Sequence, residues 1–374
     1  MATAPRSVSI PLPESSDVPS EGSSTTMQDI AEQAGVSLST VSRALHDNPR
    51  IGVRTRDRIH RIAADLGYRP NPMVAALMKQ LRTNRPVAPV CNLAWLDFYE
   101  DPEAWKQSAV QRGFYAGALA RARARNYSLE RIQVCAPGMT PSRLNHILES
   151  RGIRAVLMSW MRDSDGISSC LPFDLNRFAV ISVGTRYQRP DLSYASDDQY
   201  ISSCLAIRRL WELGYRRIGY VGEPGIERIV ENRFSAGYLT TLTIELGGTT
   251  LPPLFTFDDV DVVEWWHRFR PDAILTSNRL VLRNLRQHGI RVPEDVGLAH
   301  LNIEDCADYA PAELAGIKQD NERVGEGAVD FLISQISTNA VGPPEIPRGV
   351  LTPSLWVEGP TVRQVTVAAS DQSP

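Results

Sequence analysis

Ser37, Ser39, Thr40 and Ser42 place four hydroxyls within six consecutive positions, and Arg43 follows directly. Short hydroxyl side chains bond phosphate oxygens or base edges without bulk, and a guanidinium can grip a guanine through two hydrogen bonds. Thr26 and Thr55 stand near the starts of two flanking helical patterns, where unpaired backbone N–H groups favour phosphate. These types and spacings suggest recognition of a polyanion rather than bond making.

Such side chains need a scaffold, and the surrounding pattern supplies one. Met27, Ile30, Ala31 and Ala34 recur at helical spacing. Thr26 is a plausible N-cap with Asp29 as a weak capping-box partner, and Gly35 can end the helix in the left-handed region. Val36 plugs the turn. Ser37 then caps a second helix from Leu38 to about Leu45, with Val41, Ala44 and Leu45 inward and Leu38, Ser39, Ser42, Arg43 and His46 outward. A third helix runs from about Thr55 to Leu66, with Ile59, Ile62, Ala63 and Leu66 on one face and Gly67 at its end. Two short helices around a glycine turn, with a third across them, make a helix-turn-helix, whose second helix enters the DNA major groove. The charge agrees. Residues 25–85 hold ten Lys and Arg against five Asp and Glu, whereas residues 86–374 hold 29 against 35. A small basic segment on an acidic body points to one segment that meets a polyanion.

Pro70 and Pro72 bracket an extended entry to "MVAALMKQL", a helix-prone stretch too short to be stable alone. Its apolar residues could pack on the rest of the chain, or pair with a partner's copy and wedge Leu77 into a minor groove. Residues 25–82 resemble the DNA-binding headpiece and hinge helix of the lactose-repressor (LacI/GalR) family of bacterial transcription regulators, through "DIAEQAGVSLSTVSRAL", "TRDRIHRIAADLGYRPN" and "PMVAALM". The resemblance implies that Leu38, Ser39 and Arg43 occupy base-reading positions. It implies that Thr26, Ser37, Thr40, Ser42 and Thr55 match phosphate contacts, and Leu77 the minor-groove lever.

From about residue 88, short apolar runs alternate with helical stretches. The runs are "VCNLAWL", "AVLMSW", "FAVISVG", "RIGYVG", "AILTSN" and "VGLAHLN". Alternating β and α predicts parallel sheets with ligands beyond the strand C-termini. "DDQYISSCLAIRRLWELGYRRIGYVG", "ENRFSAGY" and "GIRVPEDVGLAHLN" resemble the family's effector domain, which is similar to periplasmic sugar-binding proteins. The resemblance implies an α/β body of two lobes, with the chain crossing between them near residues 214, 317 and 340. It implies effector contacts from Arg233, Asn278 and Asn302, with Asp97, Tyr99 or Trp105 as contributions from the first lobe. Three have a plainer alternative: Arg233 could pair with Glu231 or Glu227, Asn278 could cap the next helix, and Trp105 could be core. Three stretches depart from the family. "TSNRL" has Arg279 where the family commonly has Asp, "AHLNIED" replaces Gly-aromatic-Asp-Asp, and "WLDFYEDPEAWKQ" is unlike Asn-Pro-Phe-Phe. These departures suggest a ligand unlike a simple hexose.

The expected layout is a disordered tail over 1–24, a helix-turn-helix domain over 25–69, a hinge helix and linker over 70–85, and an effector-binding and dimerisation domain over 86–374. The N-terminus lacks a secretory pattern, and no apolar run reaches the roughly 18 residues of a spanning helix. The five cysteines are scattered, the nearest two 34 positions apart, which fits reduced thiols in a cytoplasm. No nucleophile-elbow, phosphate-loop, dinucleotide or zinc-protease motif is present, and the six histidines have no ligand spacing. The reading is therefore of a cytoplasmic regulator, not an enzyme, with no cofactor or metal. It would bind a pseudo-palindromic DNA operator as a homodimer, most simply as a repressor, under a carbohydrate-like effector. An activator, or a DNA binder whose cleft no longer senses a small molecule, are the alternatives.

Overall fold

The computed structural model describes residues 26–45, 51–66, 68, 91–99, 101–159, 173–187, 190–256, 258–306 and 309–366. The expected N-terminal tail, the hinge helix with Leu77, and His46 lie outside the described residues. Backbone proximity divides the chain into two units, residues 1–70 and 71–374.

In the first unit, α1 spans Met27–Ala34, α2 Leu38–Leu45 and α3 Val53–Asp65. Thr26 caps α1, accepting from Asp29 N at 3.3 Å, and the Asp29 carboxylate accepts from Thr26 N at 2.7 Å. The weak capping box therefore forms with Asp in place of Glu. Gly35 ends α1 at φ 63°, a backbone region where a side chain would be strained. Ile30, Ala31, Ala34, Val41, Ala44, Ile59 and Ala63 close into one small core. α3 begins two residues earlier than the apolar pattern predicts, after Gly52. Arg58 of α3 reaches back to the Ala34 carbonyl at 3.0 Å, satisfying an orphan acceptor at the end of α1.

The second unit holds two six-stranded sheets, one per lobe. The first contains β1 Asn92–Asp97, β2 Ser128–Gln133, β3 Ile153–Met158, β4 Ala179–Val183, β5 Tyr194–Asp197 and, at its edge, β11 Gly349–Thr352. Its spatial order is β11-β5-β4-β3-β1-β2, and every pairing is parallel. The second contains β6 Ile218–Gly222, β7 Leu254–Phe255, β8 Ala273–Thr276, β9 Gly297–His300, β10 Ala315–Lys318 and β12 Leu355–Val357, in the order β12-β10-β9-β8-β6-β7. Only β12 runs antiparallel to its neighbour.

Both faces of each sheet are covered, which is why the central strands read as continuous apolar runs. In the first lobe, Leu93, Trp95 and Ile181 pack under α4 (Ala109–Ala124) and α11 (Asn321–Ser337), while Ala94, Leu96 and Val180 pack under α5 (Pro141–Ser150). In the second, Tyr220, Leu275 and Ile317 meet α6 (Gln199–Glu212) and α8 (Arg233–Thr240), which follows the short α7 (Pro224–Ile229). Ile274 and Leu298 meet α9 (Asp259–Phe269) and α10 (Val281–Gln287). No described helix is long and apolar enough to cross a membrane.

Two crossings differ from the expected positions. The chain leaves the first lobe at Asp198, not near residue 214, because α6 buries Ala206, Ile207 and Leu210 in the second lobe's core. Helical periodicity shows that α6 has an apolar face but not which sheet receives it. The last crossing runs between Thr352 and Leu355 rather than near residue 340. Gly342 N still bonds Phe178 O at 2.8 Å, and β11 pairs with β5, so the chain stays on the first lobe through Thr352. The middle crossing lies between Lys318 and Asn321.

Candidate functional site

The exposed side of α2 carries Leu38, 46% accessible, with Ser39 and Arg43 beside it. Ser37 Oγ lies 3.0 Å from Ser39 Oγ and 2.9 Å from Thr40 Oγ1, and it accepts from Thr40 N at 3.3 Å. The hydroxyls thus form a small hydrogen-bonded cluster at the helix N-terminus, where the backbone dipoles favour an anion. Thr26 is exposed at the N-terminus of α1. Thr55 is half-buried in the first turn of α3, and Ser42 is half-buried on α2.

In the second unit, helix N-termini gather where the lobes meet. Ser108 caps α4, Asp198 caps α6 and Asp320 caps α11. A cleft of about 1330 Å³ opens there, lined from the first lobe by Tyr99, Ser108 and Arg112 and from the second by Glu223, Ser277, Arg279, Glu304 and Lys318. Lys318 Nζ lies 3.6 Å from Glu304, and Asn321 Nδ2 donates to the same carboxylate at 3.3 Å. The mouth therefore presents both signs of charge.

Deeper in is a compartment of about 100 Å³ walled by Val110, Phe114, Ile226, Ile229, Val230 and Phe234. Asp197, Gln199, Ser277, His300, Asn302 and Gln319 supply its polar groups. Burial pushes the Asp197 carboxyl up to about 7, against the pull of its bonds from Ser354 and Ser202. Burial holds His300 down at about 4. An apolar cavity with a few fixed polar groups is the usual construction of a small-molecule site.

Of the six expected effector contacts, Tyr99 and Asn302 line this space. Asn302 Nδ2 donates to Gln319 Oε1 at 3.0 Å, and its Oδ1 accepts from Glu304 N at 3.2 Å. The other four do not. Arg233 lines a separate small recess, donating to Tyr194 OH at 3.0 Å and pairing with Glu231 at 3.4 Å. Asn278 is buried and spends its amide on Thr256 O at 3.0 Å and Leu280 N at 2.9 Å, so it shapes the turn before α10. Asp97 is buried against Arg131 and accepts from Tyr99 N at 3.0 Å. Trp105 lies edge-on to Tyr115 with Arg131 over its ring. Arg233 follows its plainer alternative and pairs with Glu231; Asn278 and Asp97 are held by local partners, and Trp105 is half-buried rather than core. Sequence reasoning missed His300, Asp197, Gln199 and Gln319. The rule that ligands sit beyond strand C-termini could have found Asp197, the last residue of β5, and His300, the last of β9.

The helix-turn-helix region, residues 26–71, matches the model of the bacterial regulatory proteins of the lacI family, and residues 207–362 match the periplasmic binding protein-like domain. The chain thus joins a helix-turn-helix of the lacI-family type to a periplasmic-binding-protein-like body. It is 25% identical over 339 residues to the HTH-type transcriptional regulator CelR of Thermobifida fusca, covering 85% of this chain and 94% of that one. It is 23% identical over 343 residues to the HTH-type transcriptional repressor CytR of Escherichia coli (strain K12), covering 85% and 91%. In fold it matches a transcriptional regulator CelR-cellobiose complex at TM-score 0.56 and 20% identity over 90% of this chain and 99% of that one. The lac repressor dimer bound to operator and the anti-inducer ONPF matches at 0.53 and 20% over 91% and 99%. These relatives are named transcription regulators, not enzymes. The chain accordingly carries, in residues 26–71, the helix-turn-helix through which lacI-type regulators act on DNA.

Proposed function

We propose that this regulator is a cytoplasmic repressor that binds a pseudo-palindromic operator as a homodimer and is controlled by a small polar molecule, carbohydrate-like in shape, in the inter-lobe cleft. The observation that carries the reading is the pairing of two sites on one chain. One is an exposed α2 face with Leu38, Ser39 and Arg43; the other is a two-lobed body whose cleft takes groups from both lobes. The operator and dimer of the lac repressor structure and the cellobiose of the CelR complex support the reading by likeness. Two half-sites fix register and enlarge an interface that one headpiece makes only in part. An effector that closes the cleft shifts the DNA-binding equilibrium by its differential affinity for the open and closed states, and by no more.

The test is a selection of bound DNA from a random library. It is followed by anisotropy titration of the selected duplex with and without a panel of sugars, sugar acids and nucleosides. A palindromic consensus bound at two chains per duplex, and released by one panel member, is the expected result. A non-palindromic consensus bound by one chain would remove the dimer reading. Affinity unmoved by any panel member would remove the effector reading.

A further inference from the structure

β9 ends at His300, a residue that is 3% accessible and lines the inner compartment. Asn302 N donates to His300 Nδ1 at 3.0 Å. A neutral imidazole has one N–H, so a ring whose Nδ1 accepts carries its proton on Nε2. Burial keeps the ring neutral at physiological pH. His300 Nε2 is buried and has no hydrogen-bond partner among the described residues.

The neighbouring polar groups are otherwise engaged. The Asp197 carboxyl accepts from Ser202, at 3.2 Å, and from Ser354. Gln319 accepts from Asn302 and donates to Leu301 O at 3.4 Å. Gln199 donates to Ser196 Oγ at 2.8 Å. The walls between them are aliphatic and aromatic. In such a compartment a lone N–H selects what enters, because a ligand without a matching acceptor leaves the donor unsatisfied.

We propose that His300 Nε2–H is a specificity-determining donor of the effector site and that the effector buries an uncharged acceptor against it, a hydroxyl, carbonyl or ring nitrogen on an apolar-faced ring. The proposal rests on the cleft reading above. A carboxylate or phosphate is the wrong acceptor for this position, since Asp305 lines the same compartment, the walls are apolar and a neutral imidazole brings no compensating charge. Any anionic part of the ligand belongs at the mouth, near Arg112 and Arg279.

The test uses the full chain. Thermal shift is measured with D-glucose, cellobiose, adenosine, uridine, gluconate and glucose 6-phosphate. The best neutral probe is then titrated calorimetrically against wild type, His300→Phe and His300→Gln. His300→Phe is expected to lose tenfold or more in affinity. His300→Gln, whose amide keeps an N–H, should lose only a few-fold. Deoxy analogues of the probe give wild type the same loss at one position, with no further loss on top of His300→Phe. Equal binding by wild type and both variants overturns the proposal while leaving the cleft reading intact, as does a response confined to the two anionic probes. No shift from any probe overturns both. Should His300→Phe fail to fold, the deoxy series in wild type and His300→Gln decides. Nitrogen-15 shifts of the ring supply a ligand-free check: a proton on Nδ1 at neutral pH overturns the donor assignment.

Discussion

Ser354, midway along the last crossing between the lobes, donates its hydroxyl to the carboxyl of Asp197, the final residue before the first crossing. Asp198 N adds a bond to Thr352 O at 2.9 Å, and Ser202 of α6 donates to the other Asp197 oxygen at 3.2 Å. Two of the three connections between the lobes are thus fastened at one buried carboxyl, and the inner compartment opens beside it.

That carboxyl should make stability depend on pH with an unusual sign. Asp197 is raised from 3.8 to about 7, so the folded state holds its proton more tightly than the unfolded chain. Its contribution is fully present below about pH 4 and is lost as pH rises through about 7. His300 is lowered from 6.5 to about 4, so its contribution is present above about pH 6.5 and is lost as pH falls toward 4. The two oppose each other across one window. Asp197→Asn should therefore leave a protein whose urea midpoint falls on acidification from pH 7 to 5. His300→Gln should leave one whose midpoint falls as pH rises from 5 to 8. Parallel pH profiles for both variants and wild type would show that neither group titrates there.

Gly117 and Gly325 set the distance between α4 and α11. A Cβ on Gly117 would lie 1.9 Å from Glu322 O, and one on Gly325 would lie 2.1 Å from Phe114 O. These contacts are backbone and cannot rotate away. Gly117→Ala should cost on the order of 1–3 kcal/mol in chemical denaturation. Gly327→Ala, on α11 with Gly325, meets only a Val350 methyl at 3.3 Å and should be near neutral, with helix propensity in its favour. Equal costs at both positions would mean that the α4–α11 approach is not what glycine serves.

On the DNA side, Arg43 is exposed on α2 and free to extend. Arg43→Ala should cost about 1–3 kcal/mol at one base position of the selected operator. Measured across single-base variants, a uniform loss would make Arg43 a phosphate contact instead.

Thr26 has two possible duties, and one substitution separates them. Asp is as good an N-cap as Thr but repels phosphate and, here, also the Asp29 carboxylate that Thr26 Oγ1 bonds at 2.9 Å. Thr26→Asp should lower operator affinity in a salt-dependent way, with a loss of headpiece stability no larger than that of Thr26→Ala. Thr26→Ala should lose about 1 kcal/mol of stability by removing the cap. Unchanged affinity in Thr26→Asp would confine Thr26 to capping.

What the sequence by itself determined is local. Spacings of three and four residues, a threonine cap and a glycine able to take φ 63° specify three helices whose inner faces must meet. The outward set, Leu38, Ser39 and Arg43, follows by subtraction. Six central strands are legible because burial on both faces makes them continuous apolar runs. The edge strand β2 is not, because its partly exposed face admits Glu130 and Arg131. Only the tertiary structure decided which sheet receives α6. An amphipathic helix reports an apolar face, not the distant residues that cover it. The same reason displaced Arg233, Asn278, Asp97 and Trp105 from the cleft, each claimed first by a neighbour such as Tyr194, Thr256, Arg131 or Tyr115. It also brought forward His300 and Asp197, which lie 103 positions apart in the chain and line one compartment only because two parallel sheets point their strand ends at each other.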